Sequence, residues 1–523
     1  MTFNAAEWLI DRHLAEGGGD RIAVDTPSGT TTYAELSELT GKVAAGLRSL
    51  GLRRDDRIVF VANDDLPSFS GILGAFRGGF VAIPVSTMFG PQELTTVIAD
   101  SGAQVVCASA AFAPQVAAAA QNCPELRTII WDGDPGDVTL PERVSSMPFD
   151  DVVSAGAAAD EAERAVVPTD EDAWALWLYT SGTTGKPKGA MHRHANIRHV
   201  VETYGKQVLQ IQPNDRCLSV AKLFFAYGIG NSMFFPLAVG ATTVLEPARS
   251  TPAGMVERIR AGAPTLFFGV PTFFAGLVAS SDIPDDIFAG IRYSASAGEA
   301  LPKPLQQKVK QRFGLDILDG IGSTECLHIF LSNSPGDIRE GTTGKPVPGY
   351  DIVLRDSDGN LLGDGEPGTL YVRGESIALG YWRRTDASRQ VFQGEWVNTG
   401  DTYVRDEDGY YTCLGRSGDM LKAGGMWVSP AEVESRLLAH DAVLECVVVA
   451  LPDHEGIDKP VACVITQGEV TEDELDAWCR AGLAAFKRPR RVYFVDEIPK
   501  TATGKLQRYK VREIVHAIEY GSP

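Results

Sequence analysis

The sequence predicts an α/β protein. It has a large N-terminal domain with doubly covered sheets and a distorted β-barrel subdomain, followed by a small α+β C-terminal domain. Three observations lead there. Short β-branched apolar runs alternate with longer alanine-rich stretches, the pattern of mostly parallel sheets covered by helices. Beyond about residue 350 the texture changes to short strands joined by Asp-Gly turns. Finally, 523 residues exceed what one hydrophobic core sustains, so at least two domains are expected.

Taken in order, residues 57–62 (RIVFVA), 104–108 (QVVCA), 128–131 and 265–270 read as buried strands. The Asp-, Pro-, Ala- and Glu-rich stretch 132–172 reads as an irregular surface connection. Residues 223–245 carry no charge and meet the length of a membrane span, about 20 residues. Gly228, Gly230, Asn231, Ser232, Pro236 and Gly240 interrupt that run, so two short buried pieces and a turn are predicted instead. DIVLRDSDGNLL, GTLYVRG and DGYYTCLGR then read as hairpins. Helices are predicted over 430–440 and 472–485, and the change of texture near 416–419 divides the chain into domains 1–417 and 418–523.

Composition narrows the function classes. A formal charge of −20 repels nucleic acid and anionic membranes, so a bound nucleotide must be met by local cations and backbone amides. The eight cysteines are scattered without a CxxC pair, which suggests neither a zinc site nor a disulfide framework. The N-terminus, MTFNAAEWLIDRHL, carries charges where a signal peptide needs its apolar region, and a cytoplasmic location is the expectation.

The strongest chemical signal is LYTSGTTGKPKG at residues 178–189, which leaves an apolar run as a glycine-rich loop. Thr180, Ser181, Gly182, Thr183, Thr184 and Lys188 supply the hydroxyls, backbone amides and positive charge that a polyphosphate demands. A Walker loop does not fit, because Lys186 is followed by Pro187 rather than Ser or Thr.

This loop resembles the signature of the adenylate-forming superfamily: acyl- and aryl-CoA ligases, luciferases and peptide-synthetase adenylation domains. In matching order follow SAGEALP (296–302), DGIGSTE (319–325), TGD (399–401), GRSGDMLKAGG (415–425) and PKTATGKLQR (499–508), with TYAEL (32–36) near the start. The resemblance implies activation of a carboxylate by ATP as an acyl-adenylate, with release of pyrophosphate. Charge builds on the α-phosphoryl oxygens in that step, which explains the need for cations there. It also implies that Lys505 reaches the carboxylate and α-phosphate, that Thr324 donates to phosphate, and that Glu325 holds Mg²⁺. Asp401 and Arg416 would grip the ribose, and Ala297, Gly298 and Glu299, with Asp319, Gly320 and Ile321, would frame adenine. Ile321 stands where many relatives carry an aromatic residue.

KLFFAYGIGN (222–231) and STECLHIFLSN (323–333) resemble the benzoate-CoA ligase branch. By that resemblance Ala226, Tyr227, Gly322, His328 and Ile329 line a flat slot for a small aromatic carboxylic acid, next to Lys505. A second half-reaction with coenzyme A is implied, with Gly424, Gly425 and Trp427 along the thiol tunnel and Phe486 and Arg488 against the CoA nucleotide. Gly418 sits at the hinge where relatives carry Asp or Lys. The expectation is an aryl-CoA ligase using ATP, Mg²⁺ and CoA, with no nucleic-acid or membrane partner, as a monomer or homodimer. An aryl-acid adenylating enzyme that loads a carrier protein, and a catalytically silent binding protein on the same fold, are the alternatives.

Overall fold

The computed structural model describes residues 2–181, 187–423, 426–452, 458–500 and 506–520. Two large sheets organise the first four hundred residues. In one, the strands Ser145–Pro148, Thr128–Asp132, Val105–Ser109, Arg57–Val61, Val81–Pro84, Trp174–Ser181 and Pro187–Arg193 lie side by side. Only the last pair is antiparallel. The other is nine-stranded, with six parallel strands at its centre, from Ile317–Gly322 across to Ile22–Thr26. Val, Ile and Phe fill both faces of these strands, as burial under helices on each side requires.

Residues 132–172 depart from the expectation of an irregular connection. They hold the strand Ser145–Pro148 and the helices Phe149–Ala158 and Glu161–Arg164. The helix Phe149–Ala158 lies against Tyr33–Ser49, whose start is fixed by a capping box between Thr32 and Glu35. A Cβ on Gly156 would stand 1.8 Å from the Lys42 carbonyl oxygen, and one on Gly46 would stand 2.0 Å from that of Val152. Contact between the two helices is therefore backbone to backbone. Small residues make it, so the segment shows no broad apolar stripe and reads as loop.

The uncharged run 223–245 also differs. Ala226–Ile229, Gly230–Phe234 and Phe235–Val239 follow one another as a single helical rod, α then π then α, which Gly240 ends at φ 77°. The widened turn before Pro236 takes up the bond that the proline nitrogen cannot donate. Gly228 and Gly230 are there for close approach: a Cβ would meet the Lys222 carbonyl at 1.9 Å and the His328 ring at 2.3 Å. Among the described residues no helix is long and apolar enough to cross a membrane.

The region expected as a barrel is a five-stranded antiparallel sheet between Asp351 and Arg416, whose pairings among the described residues do not close into a ring. The C-terminal part is built on the strands Val443–Pro452, Asp458–Thr466 and Val492–Phe494. The helices Pro430–Leu438 and Glu472–Gly482 pack on one face, and Arg508–Tyr520 packs on the other through Val511 and Val515. The second of these helices stops at Gly482, short of the expected 485, because residues 485–487 form a separate 3-10 turn.

Candidate active site

The strand Trp174–Ser181 and its partner Pro187–Arg193 form a hairpin that flanks the phosphate-loop motif, with Thr180 opposite Lys188. Gly182, Thr183 and Thr184 lie outside the described residues. The chain at 379–382 docks along the second strand: Leu379 and Trp382 donate to the carbonyls of Met191 and Gly189. Asp100 pins this region further, accepting from Tyr179, from the Trp382 indole and from Arg384. Tyr381 is thereby brought beneath Lys188, whose ammonium lies 5.2 Å from the centre of its ring. The Tyr381 hydroxyl donates to Glu325 Oε1 at 2.6 Å.

Thr324 and Glu325 occupy a short 3-10 turn, Thr324–Cys326, capped by Ser323. Three further contacts fix that turn. The Ala378 amide donates to the Glu325 carbonyl, Ser376 Oγ donates to the Cys326 carbonyl, and His192 Nε2 donates to the Thr324 carbonyl at 2.8 Å. Asn196 Nδ2 donates to His192 Nδ1, which sets the tautomer, and reaches the Ser376 carbonyl as well. Directly after the turn Leu327 is held at φ 67°, a conformation that costs a bulky residue energy and is found where surrounding structure enforces it. Sequence reasoning missed His192, Asn196, Ser376 and Tyr381. No spacing relates residue 192 or 381 to 325, and only the docking of distant strands does.

The motif Ala297–Glu299 follows the strand Tyr293–Ser296. Gly298 has φ 94°, which requires glycine. One strand over, Gly320 and Gly322 allow the chain 329–332 and the His328 backbone to come close, since a Cβ on Gly322 would stand 2.5 Å from the His328 carbonyl. Ile321 is half-buried. The Asp319 side chain is buried; its Oδ1 has no hydrogen-bond partner and burial raises its pKa well above the usual carboxylate range. Its carbonyl is taken by the Asn333 amide groups. Asp401 and Arg416 face each other across antiparallel strands and form an ion pair at 3.1 Å, and Arg416 also donates to the Thr399 carbonyl. The two predicted ribose contacts are thus together and oriented by one another.

Ala226 and Tyr227 open the helical rod, and His328 Nε2 meets the Tyr227 carbonyl at 3.3 Å. With Gly322 and Ile329 on the adjoining strands, the five predicted acyl-slot residues converge. Lys505, Gly424 and Gly425 lie outside the described residues, and Trp427 is placed only as part of the strand Met426–Val428. The segment that carries Lys505 is anchored on both flanks: Lys500 bridges Leu506, and Arg508 makes an ion pair with Glu434 and donates to the Val448 carbonyl. Phe486 packs on the C-terminal core and Arg488 donates to the Leu483 carbonyl, contacts that are local.

Among the described residues no three His, Cys, Asp or Glu side chains gather as a metal centre. The single half-buried carboxylate of Glu325 suits a divalent ion whose other ligands are phosphate oxygens and water.

Buried histidines give the fold a pH dependence. Desolvation lowers His192 and His194 to about 4 and His328 to about 3. Their contribution is complete above the ordinary histidine value near 6.5 and is lost as pH falls, because the unfolded chain then binds protons that the folded chain refuses. Asp64, raised to about 6 by burial, and Asp319, raised well above the carboxylate range by the same cause, act with the opposite sign and offset part of this. Each of these three histidines is expected to lose roughly 2 kcal/mol of its contribution between pH 7 and pH 5. A His192, His194 or His328 ring that titrates near 6.5 in the folded protein, followed by NMR, would contradict the neutral assignment.

Two family models match the chain: the AMP-binding enzyme family over residues 11–382 and the AMP-binding enzyme C-terminal domain over residues 432–505. The chain belongs to the AMP-binding enzyme family. This AMP-binding enzyme is 42% identical over 517 residues to the benzoate-CoA ligase of Thauera aromatica, a match covering 98% of this chain and 96% of the relative. It is 39% identical to the 4-hydroxybenzoate-CoA/benzoate-CoA ligase of Rhodopseudomonas palustris, covering 98% and 94%. Among solved structures, a benzoate-CoA ligase from Burkholderia xenovorans LB400 superposes with a TM-score of 0.88 at 41% identity, covering 98% of this chain and all of that one. The fold expected from the sequence, α/β with a large first domain and a small last one, is that of the AMP-binding enzymes.

Proposed function

We propose that the protein is an ATP-dependent aryl-CoA ligase of the AMP-forming, acid-thiol type. It activates benzoate or a small ring-substituted benzoate as the acyl-adenylate and transfers the acyl group to coenzyme A. The observation that carries this reading is the convergence of the Thr324–Glu325 turn, Lys188 and the Tyr227/His328 slot, in a chain aligned end to end with benzoate-CoA ligases.

The roles follow from charge. The backbone and hydroxyls of 180–184, with Lys188, take the outer phosphates, and Thr324 donates to the α-phosphate. Glu325, held by Tyr381, would hold a Mg²⁺ ion, which would supply charge neutralisation at the phosphates. Lys505 bridges the substrate carboxylate and the α-phosphate, so that attack expels pyrophosphate. Asp401 accepts from the ribose hydroxyls and Arg416 steadies it. The aromatic ring lies between Ala226, Tyr227, Gly322, His328 and Ile329, where its faces bury and only the carboxylate needs polar partners.

For the second half-reaction, residues 418–523 turn as a body at Gly418, and Gly424, Gly425 and Trp427 line the approach of the thiol. Gly418 is outside the left-handed region, and a Cβ there would meet nothing within 4 Å. Gly418→Asp is therefore expected to fold with an unchanged melting temperature and to alter the ratio of adenylation to thioester-forming rates. Unchanged rates in both half-reactions would remove any kinetic role for the glycine.

The decisive experiment measures pyrophosphate and thioester release with ATP, Mg²⁺ and CoA across benzoates, cinnamate, acetate and octanoate. Benzoates turning over to thioester support the reading. Pyrophosphate without a CoA thioester would favour a carrier-protein acceptor instead.

A further inference from the structure

A buried carboxylate that belongs to none of the motifs stands at the seam between the two large sheets. Asp64 follows the strand Arg57–Val61 of the seven-stranded sheet and precedes the helix Leu66–Gly78, whose N-cap is its neighbour Asp65. Both of its oxygens accept from the Leu223 amide, at 3.2 and 3.1 Å. Leu223 lies on the link between the strand Arg216–Ser219 of the nine-stranded sheet and the rod that starts at Ala226. Phe60, Ile72, Pro84 and Val85 line the same small space as the carboxylate, and the positive charge that acts on it is Lys222.

Lys222 ties the same link to the nine-stranded sheet. Its ammonium donates to the carbonyls of Glu246 and Ala248, just past the strand Thr242–Val244. Two consecutive residues are thus clamped, one to each sheet, and the clamp touches the rod directly. The Lys222 carbonyl accepts from the Phe225 amide at 3.0 Å, and a Cβ on Gly228 would stand 1.9 Å from that carbonyl and 2.6 Å from the carbonyl of Ala221. Ala226 and Tyr227 lie in the turn between those two contacts.

A carboxylate taken out of water costs free energy, and a neutral side chain accepts from a single amide as well. Burial raises Asp64 to about 6, which leaves it ionised at neutral pH near a lysine that is itself half-buried. The groups assigned to ATP are held by other contacts: His192, Ser376 and Ala378 at the Thr324–Glu325 turn, and Arg416 at Asp401. We propose that Asp64 and Lys222 are positioning residues for the acid rather than the nucleotide: together they fix the first turn of the rod, and so the placing of Ala226 and Tyr227 against the aromatic ring. The proposal rests on the aryl-ligase reading and adds to it two residues that act through others.

The test measures kcat, KM for the benzoate that the wild type uses best and KM for ATP, by pyrophosphate release, in the wild type, Asp64→Leu, Asp64→Asn and Lys222→Met, with melting curves as a fold check. The expected result is a KM for the acid raised by about tenfold in Asp64→Leu and in Lys222→Met, with KM for ATP within about twofold of the wild type. Asp64→Asn keeps an oxygen for the Leu223 amide and is expected to bring KM for the acid back to within about threefold. Lys222→Met leaves that amide its acceptor, so it reports even if Asp64→Leu does not fold. A lowered melting temperature with KM for the acid unchanged would mean that the pair only supports the fold, and would overturn the proposal. So would equal rises in both KM values. Absence of pyrophosphate with every benzoate in the wild type, against release with another acid, would instead sink the aryl-ligase reading.

Discussion

Lys505→Ala is expected to lower pyrophosphate release by on the order of a hundredfold or more, the effect of losing one electrostatic donor at a transition state whose charge gathers on phosphoryl oxygens. Thioester formation from supplied acyl-adenylate is expected to suffer much less, because the thiol attacks after the anhydride exists and needs no charge at phosphorus. The flanks of its segment are held by the Lys500 to Leu506 bridge, by Lys500 on Glu445 and by Arg508 on Glu434. Melting should therefore be unchanged while one half-reaction collapses. Equal losses in both half-reactions would show that the lysine acts by shaping the site.

Glu325→Gln is expected to reduce adenylation by roughly a hundredfold and to raise the Mg²⁺ concentration needed for half-maximal rate. The substitution preserves shape, and the amide oxygen can still accept from Tyr381, whose hydroxyl sits 2.6 Å from the carboxylate. What is lost is the negative charge that makes a divalent cation welcome beside polyphosphate. Tyr381→Phe provides the comparison: it leaves the charge and removes the hydrogen bond that orients it, so a smaller loss of about tenfold is expected. A Glu325→Gln enzyme with the Mg²⁺ dependence of the wild type would remove Glu325 from the metal.

Several parts of this architecture are legible from the chain itself because the signals are local. Strands such as Arg57–Val61, Val105–Ser109 and Thr128–Asp132 are runs of β-branched residues, and the predicted positions agree with the observed ones to within a residue or so. The Thr324–Glu325 turn falls within one contiguous motif, and Asp401 and Arg416 within two motifs that become paired strands. Where the reading failed, the signal was not local. The helix Phe149–Ala158 hides in a stretch of Asp and Ala because its partner is another backbone, met through Gly46 and Gly156. The rod 226–239 hides behind Gly228, Gly230 and Pro236, residues that ordinarily interrupt a helix and here serve close packing on Lys222 and His328.

By itself, then, the sequence carried the motifs by which the chain resembles its family: a loop rich in glycine, hydroxyls and lysine, and a Thr-Glu pair in matching order. Each of these depends on side-chain identity at fixed short spacing, and spacing survives in one dimension. Only the tertiary structure decided how those groups are held. His192 and Asn196 lie more than a hundred residues from the Thr324 carbonyl they fix, Tyr381 reaches Glu325 from a segment docked on the strand Pro187–Arg193, and Tyr204 meets His328 from a different element. Hydrogen bonds and packing between distant segments carry no periodicity for a linear reading to find, because they are set by which strands and helices come to lie side by side.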